Sequence, residues 1–187
     1  VFASVLPLFV AIAAVSCNRA PPEPTPPVHA TAPSATADRA LSYPPLAAQC
    51  PADVEGQASL PTGGVVLLDA PGRPQVDVEL AVMPRDLERG LMYRRQMAED
   101  HGMLFFLGER REHMFWMHNT CIALDMMFID EDGSIVGIVE NAEPLTDTAR
   151  AVGKPSMFVL EVNGGYAQRH GVREGQRVRL PAAAHQP

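Results

Sequence analysis

A mainly β (α+β) domain with one or two short helices is predicted by three features of the chain. Val76-Asp77-Val78-Glu79-Leu80-Ala81-Val82 alternates apolar and polar residues with period two, the pattern of a half-buried strand. Val65–Leu68, Met103–Leu107 and Met157–Val162 are short apolar runs near turn-forming residues, which suits strands. Asp130-Glu131-Asp132-Gly133 separates two further apolar segments and predicts a hairpin.

Taken in order, Val65–Leu68 is the first strand and Pro71-Gly72 its closing turn. After the Val76–Val82 strand, Pro84 opens a short helix, where its missing N–H is harmless. Leu87, Leu91 and Met92 face inward from that helix. Gly102 precedes a strand over Met103–Leu107. Leu124–Ile129 and Ser134–Glu140 flank the acidic turn as the two arms of the hairpin. Met157–Val162 is a further strand, Gly165–His170 a helical turn, and Gly171–Leu180 a glycine-bounded turn with a closing strand. Many short strands and few helices define the class.

The domain occupies only part of the chain. Of 187 residues, 47% are hydrophobic, which allows a proper core, and a mean hydropathy near zero argues against a polytopic membrane protein. A formal charge of -7, with basic residues beside acids (Arg85-Asp86, Glu88-Arg89), gives no support to nucleic-acid binding. Residues 1–17 form an apolar run ending in small residues and Cys17, too short for a spanning helix and interrupted by Pro7. This stretch resembles a bacterial lipoprotein signal, which would make Cys17 the lipidated residue and the membrane a partner through that anchor. Residues 18–61 hold ten of the 18 prolines and no periodic apolar pattern, as in a disordered tether. The expected organisation is signal 1–17, tether 18–61, domain 62–181 and tail 182–187, in a protein lipid-anchored in a bacterial envelope or secreted.

Several motifs together resemble a known family. Glu88-Arg89-Gly90-Leu91-Met92 with Arg94, Gly102–Phe106, and Trp116-Met117-His118-Asn119-Thr120 with Leu124-Asp125-Met126 are three of them. Phe128-Ile129-Asp130, Leu160–Gly165 and Gly171–Gly175 complete the match over about Val76 to Leu180. The pattern is similar to the domain of unknown function 192 family, in which Lys or Arg is more usual at the position of His118. The resemblance implies a small distorted β-barrel or jelly-roll-like domain, and implies no activity.

The candidate site is Phe115–Phe128 (FWMHNTCIALDMMF), which holds the chain's only Trp. On a strand over Leu124–Ile129, Leu124, Met126 and Phe128 share one face while Asp125, Met127 and Ile129 share the other. A carboxylate among such neighbours must be paired or hydrogen-bonded. Asp125 either staples a loop onto the barrel or joins His118 as an acid/base or ligand-binding pair. Asn119 and Thr120 suit a turn, and can also present an amide and a hydroxyl to a ligand. Trp116 is either core or a stacking platform. Arg94 either pairs with Glu161 or forms an anion pocket near the His-Asn-Thr turn. His113, His118 and Asp125 lack tight metal-ligand spacing, so no metal and no cofactor are expected. Cys121 lies three residues from His118, yet neither geometry nor a lowered thiol pKa for catalysis is evident. With Cys17 lipidated, Cys50 and Cys121 remain to form a disulfide in an oxidising compartment.

The leading expectation is a non-catalytic binding module for a small polar ligand, envelope polymer or protein partner. A hydrolase or transferase using Asp125 and His118, with Trp116, Asn119, Thr120 and Arg94 as binding residues, is the alternative. A purely structural interaction module is the third.

Overall fold

Alternating and short apolar segments fold into a seven-stranded sheet in a computed structural model that describes residues 49–182. The strands are β1 (Thr62–Leu67), β2 (Gln75–Ala81), β3 (His101–Glu112), β4 (Leu124–Ile129), β5 (Ile135–Ala142), β6 (Pro155–Asn163) and β7 (Val178–Arg179). Helices α1 (Pro84–Arg89) and α2 (Tyr166–His170) complete the fold. The segments expected to be an export signal ending at a lipidated Cys17 and most of a tether fall outside the described residues, as do residues 183–187. Among the described residues no helix is long and apolar enough to cross a membrane.

The sheet order is β5-β4-β6-β3-β2-β1-β7, with every neighbouring pair antiparallel except β2 and β3. It curls into a half-barrel whose two edges meet at one seam. There Ser134 bridges Arg177, Ile135 N–H donates to the Gln176 carbonyl (2.9 Å), and Val178 N–H donates to the Gly133 carbonyl (2.8 Å). Gly133 is required at this seam: its φ is 80°, and a Cβ would stand 2.6 Å from the Val178 carbonyl oxygen.

Curling creates two apolar layers. Inside the half-barrel, Val65, Val76, Leu104, Met127, Leu160 and Val162 pack with Tyr166 of α2. On the outer face of β3, β4 and β6, Met103, Phe105, Met126, Phe128 and Val159 pack with Leu91 and Met117. All six residues of β4 are therefore buried, which explains its nearly unbroken apolar sequence. β3 runs further than the apolar pattern indicates, into the charged residues Glu109–Glu112, with an irregularity between Phe106 and Arg111. The added length pairs at its end with Ser156 and Pro155 of β6.

Residues 50–61 correct the tether boundary drawn from proline content. Cys50 is bonded to Cys121, Leu60 packs against the outer layer, and Asp53 accepts from the Arg89 guanidinium at 2.6 Å. Long-range partners hold this segment, and composition carries no record of them. The disulfide spans a sequence separation of 71, with Cα atoms 5.5 Å apart. Replacing both cysteines with Ser is expected to cost about 2–4 kcal/mol in the unfolding free energy. Denaturant titration under non-reducing conditions measures this, and equal stability of the variant and parent would refute it.

Candidate functional site

The site lies on the outer layer, where the segments joining strands cover the sheet. Segment 113–123 follows β3 and is held by paired backbone bonds: Phe115 exchanges N–H and carbonyl with Arg150, and Met117 N–H donates to the Thr146 carbonyl (3.0 Å). Phe115 then drops between Phe105 and Phe128, edge-on to both. Trp116, next in sequence, is turned the other way and remains 53% exposed.

Beside Trp116 two cavities adjoin. The outer one, a cleft of about 430 Å³, is bounded by Arg89 and Tyr93 on one side and by Trp116, His118 and Asn119 on the other. The inner one, a slot of about 270 Å³, runs under Trp116 between Leu91, Phe105 and Phe115. Glu88, Arg89, Met92 and Trp116 border both. Exposed Val54 and Met114 stand at the rims.

Two loops lock together at the cleft. Tyr93 and Asn119 both have left-handed backbone, φ 66° and 54°. Tyr93 N–H donates to the Asn119 carbonyl at 2.8 Å, and the Asn119 side-chain amide donates to the Tyr93 hydroxyl at 3.0 Å. Asn tolerates this conformation and Tyr seldom does, so reciprocal bonding holds a costly backbone in place, a feature that gathers at ligand sites. Arg89 donates to Asp53 and the Gly56 carbonyl, and its guanidinium lies 5.2 Å from the Tyr93 ring centroid. The same guanidinium holds Asp53's carboxyl below its ordinary value. Arg89 is thus an anchor for the segment 53–56, with its charge already opposed.

The structure brings together Trp116, His118 and Asn119 and separates them from Asp125 and Arg94. His118 pairs with Asp147 (Nδ1 to Oδ1, 2.7 Å), and its ring lies 5.3 Å from that of Trp116. Asp125 lies with Met127 and Ile129 on the inner face of β4, the side away from the slot, and is 0% exposed. Its Oδ1 accepts the Asn141 and Gly165 N–H groups at 2.8 and 3.0 Å, and its Oδ2 accepts Ala167 N–H at 2.8 Å. The alternation along β4 therefore prevents an Asp125–His118 pair, and Asp125 instead ties β4 to β5 and α2. Arg94 pairs with Glu79 at 2.5 Å, not with Glu161, and borders a shallow groove of about 650 Å³ beside residues 57–62. Thr120 is buried at the slot, its hydroxyl donating to the His118 carbonyl at 3.3 Å. Cys121 is in the disulfide and offers no thiol. Among the described residues no three His, Cys, Asp or Glu side chains come together to hold a metal.

Two residues of the slot were weighed from sequence for other roles, His113 as a metal ligand and Glu161 as a partner of Arg94. His113 is buried in its wall, with Nε2–H donating to the Glu109 carbonyl at 2.9 Å. Glu161 on β6 is 4% exposed and lines the slot, and burial pushes its carboxyl up to about 8. The signal for Glu161 was present: along β6 it stands two residues from Val159, on the apolar outer face.

A curled single-sheet β domain with a two-part cleft on its convex face is the class that fold and site define. The chain belongs to the family DUF192, described as "Uncharacterized ACR", whose model matches residues 66–180. It is similar to the crystal structure of a "putative transcription regulator" from Sinorhizobium meliloti 1021, at 49% identity and TM-score 0.63, covering 66% of this chain and 97% of that one. It is also similar to a protein of unknown function from Novosphingobium aromaticivorans DSM 12444, at 33% identity and TM-score 0.64, covering 72% and 96%. No curated protein matches the chain.

Proposed function

We propose that the protein is a non-catalytic binding module for a small molecule, held in the cleft beside Trp116. One observation carries this reading: a half-exposed Trp stands between two adjoining cavities, the outer of which is walled by the Tyr93–Asn119 lock. An aromatic face with one edge in solvent, next to amide and hydroxyl groups on rigid loops, suits stacking with a few directed hydrogen bonds. Cavities of this size favour a small molecule over a polymer or a protein surface. Asp125 is occupied by backbone amides and His118 by Asp147, so this geometry supplies no support for hydrolase or transferase chemistry through that pair.

Trp116 is the only Trp, so intrinsic fluorescence reports directly on the cleft. A small-molecule library screened by that signal and by thermal shift is expected to yield ligands that raise the melting temperature. Trp116→Ala is expected to weaken them at least about tenfold, as truncating an aromatic anchor does. It should leave the unliganded melting temperature nearly unchanged, because the side chain is largely outside the core. Ligands that bind equally well to Trp116→Ala, or a library that yields none, would overturn the reading.

A further inference from the structure

Among the described residues Glu161 lacks a partner, in a place where a carboxyl is expensive. Its cross-strand neighbours are Met103 of β3 and Met126 of β4, both fully buried. Among the described residues it makes no hydrogen bond and no ion pair. The basic group at the slot, Arg89, is committed to Asp53 and Gly56, and Arg94, outside the slot lining, gives its Nη2 to Glu79 while its buried Nε makes no hydrogen bond among the described residues. Facing it around the slot are Phe105 from β3, Leu91 beyond α1, and Phe115, His113 and Thr120 from segment 113–123. Glu88 and Arg89 are the charged groups at the mouth, and His113 is the other titratable group in the wall. Thr120's hydroxyl and His113's Nε2–H both donate to carbonyls. A side chain 4% exposed, lining the slot and without a partner among the described residues, is left to bond with whatever occupies the slot.

We propose that the slot takes the uncharged, mainly apolar end of a ligand bearing one acceptor oxygen, to which the Glu161 carboxylic O–H donates. This rests on the binding reading above and names the chemistry of its inner half. A ketone, ester or amide carbonyl meets the requirement. Burial keeps the carboxyl protonated at neutral pH, so it is a donor in wait of an acceptor. An ammonium ligand would have to lose its own hydration and ionise Glu161 in the same apolar space, where the attraction gained roughly offsets the desolvation. A ligand without an acceptor would leave the O–H unpaired, the basis of strong discrimination in sites built to hydrogen-bond.

Cyclopentanone, cyclopentane and cyclopentylamine share a ring that the slot can hold and differ only in the group offered to Glu161. Binding is read from the backbone amide NMR signals of Leu91, Thr120 and Glu161. At pH 6.5 cyclopentanone is expected to bind at least about tenfold more tightly than cyclopentane. Its affinity should fall about tenfold per pH unit above pH 8, because only the protonated acid donates. Glu161→Gln keeps an N–H donor and should retain ketone binding with a flat pH profile. Glu161→Met should remove the preference for ketone over cyclopentane while the protein stays folded. Because Glu161→Gln leaves His113 in place, a flat profile in that variant assigns the titration to Glu161. Tightest binding by cyclopentylamine with affinity rising with pH, or ketone preference surviving in Glu161→Met, overturns the proposal. If ligands sensed by Trp116 bind Glu161→Met as well as the parent, the inner-slot chemistry fails while the cleft reading stands; loss of all Trp116-sensed binding in the parent fails the cleft itself.

Discussion

Asp125→Asn is expected to lower the unfolding free energy by about 3 kcal/mol or more, without changing how tightly the folded protein binds a ligand beside Trp116. The carboxylate accepts three backbone N–H groups, two on Oδ1 and one on Oδ2. In its least harmful orientation the amide keeps Oδ1 in place and turns its NH₂ toward Ala167 N–H. Donor then faces donor in a site that water does not reach, and the two remaining bonds lose their charge assistance. The consequences spread because the three amides belong to different elements. Asn141 is in β5, while Gly165 and Ala167 form the start of α2, whose five residues are too few to persist as an isolated helix. Urea unfolding followed by far-UV circular dichroism measures the loss. A change below about 1 kcal/mol would show that Asp125 is not the staple its geometry describes.

Glu161→Met should do the opposite, and by an amount that depends on pH. In the folded protein the Glu161 carboxyl is pushed up to about 8, whereas its ordinary value is 4.5. Between those two values the folded state keeps a proton that the unfolded chain has released. Raising pH through this window therefore favours unfolding, by about 1.4 kcal/mol per pH unit for the single proton, and levels off above about 8. Met cannot titrate, and it matches its cross-strand neighbours Met103 and Met126. The stability gained by the variant should grow from pH 5 to pH 8 and stay constant to pH 9. Below about pH 4.5 only the cost of an unpaired neutral acid remains, about 1–3 kcal/mol. Paired denaturant titrations at pH 5 and pH 9 test this, since contributions from other groups cancel in the difference. Equal gains at both pH values would mean that Glu161 does not ionise on unfolding in this window.

Alternation made much of the fold readable. The period-two pattern located β2 and placed Asp125 on the face opposite Leu124, Met126 and Phe128, while the turn residues Asp130-Glu131-Asp132-Gly133 marked the hairpin. Applied to β6, the same rule puts Glu161 on the apolar side with Val159, so the most informative residue of the slot lay within reach of the method. Weighing Glu161 only in a pairing that was one of two alternative roles for Arg94 hid it. That pairing fails because Arg94 emerges beside β2, where Glu79 is the nearer carboxylate. The cleft itself was only half readable. Trp116, His118 and Asn119 are contiguous in sequence, but Asp53, Arg89 and Tyr93 reach the same place through long-range contacts that no local pattern encodes. Backbone strain at Tyr93 was equally invisible, since nothing about a Tyr in sequence announces a left-handed φ.

The Cys50–Cys121 bond also determines how the domain carries load. When a pull is applied between the chain on the N-terminal side of Cys50 and the chain beyond Cys121, the covalent path crosses directly between the two sulfurs. Residues 51–120 form a closed side loop whose backbone lies off that covalent path. That loop contains the segment 53–56, α1, Tyr93 and Trp116–Asn119, which are the walls of the cleft. The strands that bear the force, β4 to β7, include the floor residue Glu161 and the Asp125 staple. A tug from the N-terminal side therefore enters the fold at Cys121, and it reaches the elements that wall the cleft through non-covalent contacts such as the β3–β6 and β1–β7 pairings.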